Sequence, residues 1–178
     1  MIDLTRKTLP NTVRVGGRDF SIYTDFRLWM RFEIEVSRMK RGDRIDVGYL
    51  FQNDKPSYCN LEELFSFSRP KEELPRQIRH SNAIVLDYRL DADYIYSAFL
   101  SQYGIDLLEV KELHWHKFLA LFKGLKDDEV ICKIMSYRCY EKTNEKRDVH
   151  EELKRAWEIE YLTEEDIAEL DKFSGYFD

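Results

Sequence analysis

Between Asp91 and Leu125 the chain carries two helix patterns around a turn, and this corner constrains the fold more than any other stretch. Ala92, Ile95, Tyr96, Phe99, Leu100 and Tyr103 recur at the spacing of one helical face. Gly104 stops that helix, because glycine takes the left-handed C′ conformation without a Cβ clash and sets Ile105 against Leu100 in a Schellman-type contact. Asp106 restarts the chain. Glu109 follows it at capping-box spacing, with Asp in the Ser/Thr place, and Ile105 and Val110 supply a flanking hydrophobic staple. The corner predicts helices packed on helices and holds no reactive constellation of its own.

The rest of the chain extends that expectation into a mainly α fold, a helical domain of about five to six helices with a small N-terminal β-hairpin. At 178 residues one domain is expected, spanning 1–178. Its parts are a β-ribbon over 12–23, a first helix over 25–40, a loop-rich connector with a short helix over 41–86, and a helical core over 91–172. In the ribbon, Thr12–Val15 and Asp19–Tyr23 flank Gly16-Gly17, and Val13, Val15, Phe20 and Ile22 form the apolar side. Thr24 or Asp25 caps the first helix, whose stripe is Phe26, Trp29, Met30, Glu33 and Val36 and which ends near Lys40.

Arg41 to Tyr58 reads as a long loop with an apolar island at Val47–Phe51. Asn60 with Glu63 signals a short capped helix that ends by Pro70, and Pro70 and Pro75 bracket a charged connector. After the corner, a helix over Leu107–Lys123 has Trp115, Phe118, Leu119 and Phe122 on one side and Val110, Leu113 and Leu121 elsewhere, the pattern of a central helix. Gly124 ends it and Asp127 caps the next, with Val130, Ile131, Ile134, Met135 and Cys139 as the buried stripe. A helix over Glu145–Tyr161 follows, with Val149, Leu153, Ala156, Trp157 and Tyr161 as its stripe. Thr163 with Asp166 caps a last turn through Ile167 and Leu170. The span from Glu158 to Asp171 contains seven acids and no base, a negative surface.

Few kinds of chemistry fit this chain. A net charge of −6 and a pI near 5.4 argue against a duplex-binding surface that works by neutralising phosphates. No apolar run has the length of a membrane span and MIDLTRKTLP lacks a signal-peptide core, so the cytoplasm is the expected location. Cys59, Cys132 and Cys139 form no C-x-x-C motif and read as free thiols, with Cys132 and Cys139 buried on one side of a helix. His114-x-His116 suggests a metal, yet two residues so spaced on a helix point away from each other. Asp87, Asp91 and Asp93 offer Mg²⁺ ligands or, the favoured reading, a helix cap and a match to the helix dipole. Tyr88, Tyr94, Tyr96, Tyr103 and Trp115 suggest a stacking platform for single strands, but Arg89, Lys111 and Lys117 there are offset by several acids; packing or a protein interface fits better. No catalytic, cofactor-binding or metal-binding residue is assigned, and no enzyme motif appears.

The strings Asp91-Ala-Asp-Tyr-Ile-Tyr-Ser-Ala-Phe99, Tyr103-Gly-Ile-Asp-Leu107, Leu113-His-Trp-His-Lys-Phe118 and Leu121-Phe-Lys-Gly-Leu125 resemble the core of the bacteriophage gene-product-fifteen family. Thr24-Asp-Phe-Arg27 and the Ile131, Ile134, Arg138 spacing resemble it too, so the likeness runs from about Val13 to Arg138. His116 and Leu119 depart from the family pattern. The resemblance implies a non-enzymatic protein of the tail-morphogenesis block of long-tailed phages of Gram-positive bacteria, acting in the host cytoplasm. It implies a tail-assembly chaperone that shields the tape-measure protein or binds other tail proteins, with self-association left open. A structural tail or head-tail component retained in the virion is the alternative, and a metal-dependent enzyme built on the Asp91 cluster is a third class.

Overall fold

A computed structural model of the chain describes residues 2–40, 42–69, 83–141 and 149–161. The bracketing prolines Pro70 and Pro75, the start of the last long helix at Glu145, and the Thr163–Leu170 turn lie outside the described residues, as does most of the Glu158–Asp171 acidic run. The chain divides into two compact units: Met1–His80 with Leu86–Lys133, and Ser81–Val85 with Ile134–Asp178. Among the described residues there are six α-helices and one antiparallel ribbon, a mainly α fold with an N-terminal hairpin.

In the first unit, strands β1 (Thr12–Val15) and β2 (Arg18–Ser21) pair with Thr12 opposite Ser21 and Val15 opposite Arg18. The two-residue loop needs positive φ at both positions, and Gly16 (55°) and Gly17 (84°) provide it. The period of two then sends Val13, Val15, Phe20 and Ile22 to one face, and all four are buried. The Val47–Phe51 island, expected within a loop, continues this ribbon. A short 3-10 turn at Gly48–Leu50 delivers Phe51 to a bridge with Ile22, and the Tyr23 and Gln52 amides donate to Leu50 and Ser21 carbonyls. Leu50 and Phe51 are buried, and Phe51 meets Phe20 edge-on.

Helix α1 (Phe26–Ser37) starts at Asp25, whose carboxylate accepts from the Arg27 amide 3.0 Å away. It ends three residues earlier than expected, and its buried face is Phe26, Trp29 and Phe32. Phe32, absent from the expected stripe, is fully enclosed, whereas Met30, Glu33 and Val36 are half-buried. Helix α2 (Leu61–Ser68) has the full capping box at Asn60 and Glu63. The second Glu63 oxygen accepts from the Gly16 amide at 2.8 Å, tying the hairpin turn to the helix. Those backbone donors hold the Glu63 carboxyl below its ordinary pKa.

Helix α3 (Ala92–Tyr103) stops at Gly104, which sits at φ 64°. The Gly104 amide donates to Leu100 (3.0 Å) and that of Ile105 to Phe99 (3.2 Å), the left-handed stop expected from the sequence. The helix is rotated from expectation: Ile95, Ala98 and Phe99 face the core, while Ala92 and Leu100 face outward.

The helix expected over Leu107–Lys123 is corrected more deeply. Asp106 caps only one turn, its carboxylate accepting from the Leu108 and Glu109 amides at 2.8 and 3.2 Å. The chain then extends, and helix α4 begins at Trp115 and runs to Lys123. Extended pairing with the entry to α1 overrides local helix propensity. His114 bridges Asp25, the Phe26 amide donates to Leu113 at 2.8 Å and the Trp115 amide donates to Thr24 at 2.7 Å.

Helix α5 (Val130–Arg138) starts in the first unit and continues in the second. Its covered residues are Ile131 and Ile134; Val130 and Cys139, expected in the stripe, are exposed, and Cys132 is half-buried. In the second unit, Arg138 is buried and its guanidinium donates to the Trp157 carbonyl at 2.7 Å and the Val85 carbonyl at 3.1 Å. Helix α6 (Val149–Trp157) buries none of its expected stripe fully: Val149 and Ala156 are exposed, and Leu153 and Trp157 half-buried.

Candidate functional site

Of the residues that carry the sequence resemblance, Thr24–Arg27, Phe99, Leu107 and Leu113–Phe118 meet at the junction between α1 and α4, while Ile134 and Arg138 belong to the second unit. Arg27 spans the junction. Its guanidinium donates to the Leu107 and Val110 carbonyls, each at 2.8 Å, and pairs with Asp25 at 3.1 Å. The broken turn at Leu107–Val110 leaves carbonyls that a continuous helix would have satisfied, and the two hydrogens of Nη2 collect both while Nη1 faces Asp25. Behind the junction, Phe118 lies stacked between Phe26 (5.1 Å) and Phe99 (5.0 Å), with Trp115 at 5.5 Å. This is a rigid packing centre.

His114 and His116 come together in a way that residue spacing did not anticipate. Because His114 precedes the helix and acts as its N-cap, the two rings lie 5.1 Å apart rather than on opposite sides. His114 Nδ1 accepts from the His116 amide at 3.0 Å while its Nε2 meets the Pro10 carbonyl at 2.9 Å. His116 Nε2 meets the Phe67 carbonyl at 2.8 Å, and its ring stacks on Phe67 at 4.5 Å. Each Nε2 is therefore a donor to a carbonyl in a neutral ring. Burial lowers both pKa values, that of His116 to about 4. Among the described residues no group of three His, Cys, Asp or Glu side chains is placed to hold a metal ion.

The acidic cluster divides. Asp87 is buried, accepts from the Arg89 and Leu90 amides at 2.7 and 3.0 Å, and is paired with Arg38 at 3.0 Å. Asp91, only 1% exposed, accepts from the Asp87 amide at 3.0 Å. Asp93 stands apart on the surface in the first turn of α3. Asp87 and Asp91 thus hold the turn ahead of α3 rather than cap the helix, since no side chain bonds its first amides, and only Asp93 in its first turn matches the helix dipole as expected.

The aromatic set disperses as well. Tyr88 packs near Trp115 and Phe118, the Tyr103 hydroxyl donates to the Leu121 carbonyl at 2.8 Å, and the Trp115 indole donates to the Ser68 carbonyl at 2.8 Å. Tyr94 and Tyr96 are both half-buried on α3, and the Tyr96 hydroxyl donates to Asp106 at 3.0 Å.

Two surface features remain. One is a cleft of about 700 Å³ in the connector, lined by Met39, Ile45, Val47, Tyr58, Cys59 and Leu61 among mixed charges. Burial pushes the Cys59 thiol up to about 11, which favours the protonated form at neutral pH. The other is the outer face of α3 with Leu100 and, beyond the glycine stop, Leu108. Sequence reading missed this face because periodicity placed Leu100 inside. Leu108 was no more legible: Leu107 and Leu108 both lie inside the Asp106–Glu109 turn outside the staple, and only the fold buries the first and exposes the second.

The family model described as bacteriophage Gp15 protein matches residues 6–162 of the chain. No curated protein and no solved structure matches it.

Proposed function

From the premise that the chain belongs to the bacteriophage Gp15 family, we propose that it is a non-enzymatic tail-assembly chaperone or assembly factor that shields the tape-measure protein during tail morphogenesis. Its partners are then the tape-measure protein or other tail proteins, and its place of action is the host cytoplasm. The family match over most of the chain carries this reading. Two further observations support it. Four of the titratable residues that first suggested chemistry are occupied in holding backbone, His114 and His116 on carbonyls and Asp87 and Asp91 on amides, with Asp93 left on the surface. The surface also retains large apolar side chains of the kind that cover a partner helix, Leu100, Leu108 and Tyr58 among them.

Co-expression with segments of the tape-measure protein encoded by the same phage is the direct test. The chain keeps those segments in solution, co-purifies with them, and is absent from purified virions. Detection in virions at fixed stoichiometry refutes the chaperone reading and assigns a structural tail or head-tail component instead.

A further inference from the structure

We propose that the outer face of α3, formed by Ala92, Tyr96 and Leu100 with Leu108 beside them, is the surface on which this chain binds a protein partner, and that the bound segment is an amphipathic helix flanked by Lys and Arg. The inference rests on the assembly-factor reading and says where and how the partner is held.

The spacing i, i+4, i+8 lines these residues along two turns, a strip of about 12 Å at the rise of an α-helix. Leu100 is 44% exposed and Leu108 80% exposed. The Asp106 turn is drawn against this face. One Asp106 oxygen receives the Tyr96 hydroxyl at 3.0 Å and the other receives the Leu108 amide at 2.8 Å, so Leu108 extends the strip past the glycine stop.

Charge selects the occupant. From Leu90 to Val110 the chain carries Asp91, Asp93, Asp106 and Glu109 and no Lys or Arg. Asp93 stands at one end, Asp106 and Glu109 border the middle, and at the other end Glu129 accepts from the Ser101 hydroxyl at 2.8 Å beside one base, Lys126, whose amide donates to Gln102. An apolar strip with an acidic rim is complementary to an apolar helix with cationic flanks. A second copy of the chain would set the acidic rims against each other, which disfavours self-docking.

The test uses the full chain and two synthetic helical peptides with the same leucine stripe, one flanked by Lys and one by Glu. The Lys-flanked peptide binds, more weakly as salt rises, and the Glu-flanked peptide does not. Leu100→Asp and Leu108→Asp each weaken binding by at least about tenfold with an unchanged circular dichroism spectrum. Leu108 lies outside the helix, so its variant serves even if Leu100→Asp disturbs α3. Equal binding of both peptides, or binding that neither variant alters, overturns the proposal. So does self-association abolished by Leu108→Asp, which would make a second copy the occupant.

Co-purification with tape-measure segments separates the two readings. If both variants retain those segments as the unaltered chain does, the face is wrong and the assembly role stands. If the segments never co-purify yet the Lys-flanked peptide binds through Leu100 and Leu108, the face stands and the assembly role falls.

Discussion

Arg27 is the side chain on which the broken corner depends, and removing it isolates that dependence. Arg27→Ala deletes two charge-assisted bonds, to the Leu107 and Val110 carbonyls at 2.8 Å each. Such a bond contributes about 1.5–3 kcal/mol when water is excluded. The Arg27 side chain is 40% exposed, so water replaces part of each bond, and about 1 kcal/mol apiece is the better figure. The Asp25 pair adds little, since Asp25 keeps its cap on α1. The expected loss is about 2 kcal/mol, a fall of about 4–8 °C in Tm for a chain this long. Arg27→Lys recovers less than half of it, because the lysine side chain is one atom shorter and its ammonium falls short of the position from which Nη2 reaches both carbonyls.

Hydrogen exchange locates the damage. The Leu108, Glu109 and Val110 amides lose protection, while the Ile22 amide, bonded to Asn11 in the ribbon, does not. Stability within about 0.5 kcal/mol of the unaltered chain refutes the reasoning, as does faster exchange spread evenly over the molecule.

Other perturbations probe the remaining supports. Phe118→Ala removes the ring held between Phe26 and Phe99 and costs about 3–5 kcal/mol by urea denaturation, most of it recovered by Phe118→Leu; a loss under about 1 kcal/mol contradicts the packing described. His116 has a folded pKa of about 4 against an ordinary 6.5. The unfolded chain therefore binds the proton first, and stability is full above about pH 6.5 and falls as pH drops toward 4, by at most about 1.4 kcal/mol per pH unit. His116→Gln, which keeps a donor toward Phe67, flattens that slope in thermal melts across the window; an unchanged slope assigns the effect elsewhere. Gly104→Ala meets no atom within 4 Å of the new Cβ, so its cost is that of the left-handed backbone at φ 64°, about 1–2 kcal/mol. A Tm equal to that of the unaltered chain would show that Gly104 does not need this conformation.

Local signals were legible wherever a side chain or a glycine acts on backbone a few residues away. The Gly16-Gly17 turn, the Asp25 cap, the Asn60–Glu63 box and the Gly104 stop all work within one turn of chain, and each stands where the residues indicate. The same holds for Asp106, which caps its turn as expected even though no long helix follows. Less legible was which side of a helix is covered. On α3 the apolar and small residues run most of the way around, so Ala98 competes with Ala92 for the core and Tyr96 and Leu100 fall outside. The cysteines failed for a related reason: a small apolar side chain at a suitable spacing is buried only if another element arrives to cover it, and Cys139 is exposed.

By itself the sequence determined the ribbon, the caps, the stops and a mainly α class, because these follow from the conformational preferences of neighbouring residues. It also carried the strings by which the bacteriophage Gp15 family is recognised. Only the tertiary structure decided that the helix after Asp106 breaks, that His114 and His116 face each other, and that Leu100 and Leu108 stay exposed. The first two outcomes turn on bonds between residues some ninety positions apart, such as the Phe26 amide to the Leu113 carbonyl, and the third on which faces other elements cover; no local propensity reports either.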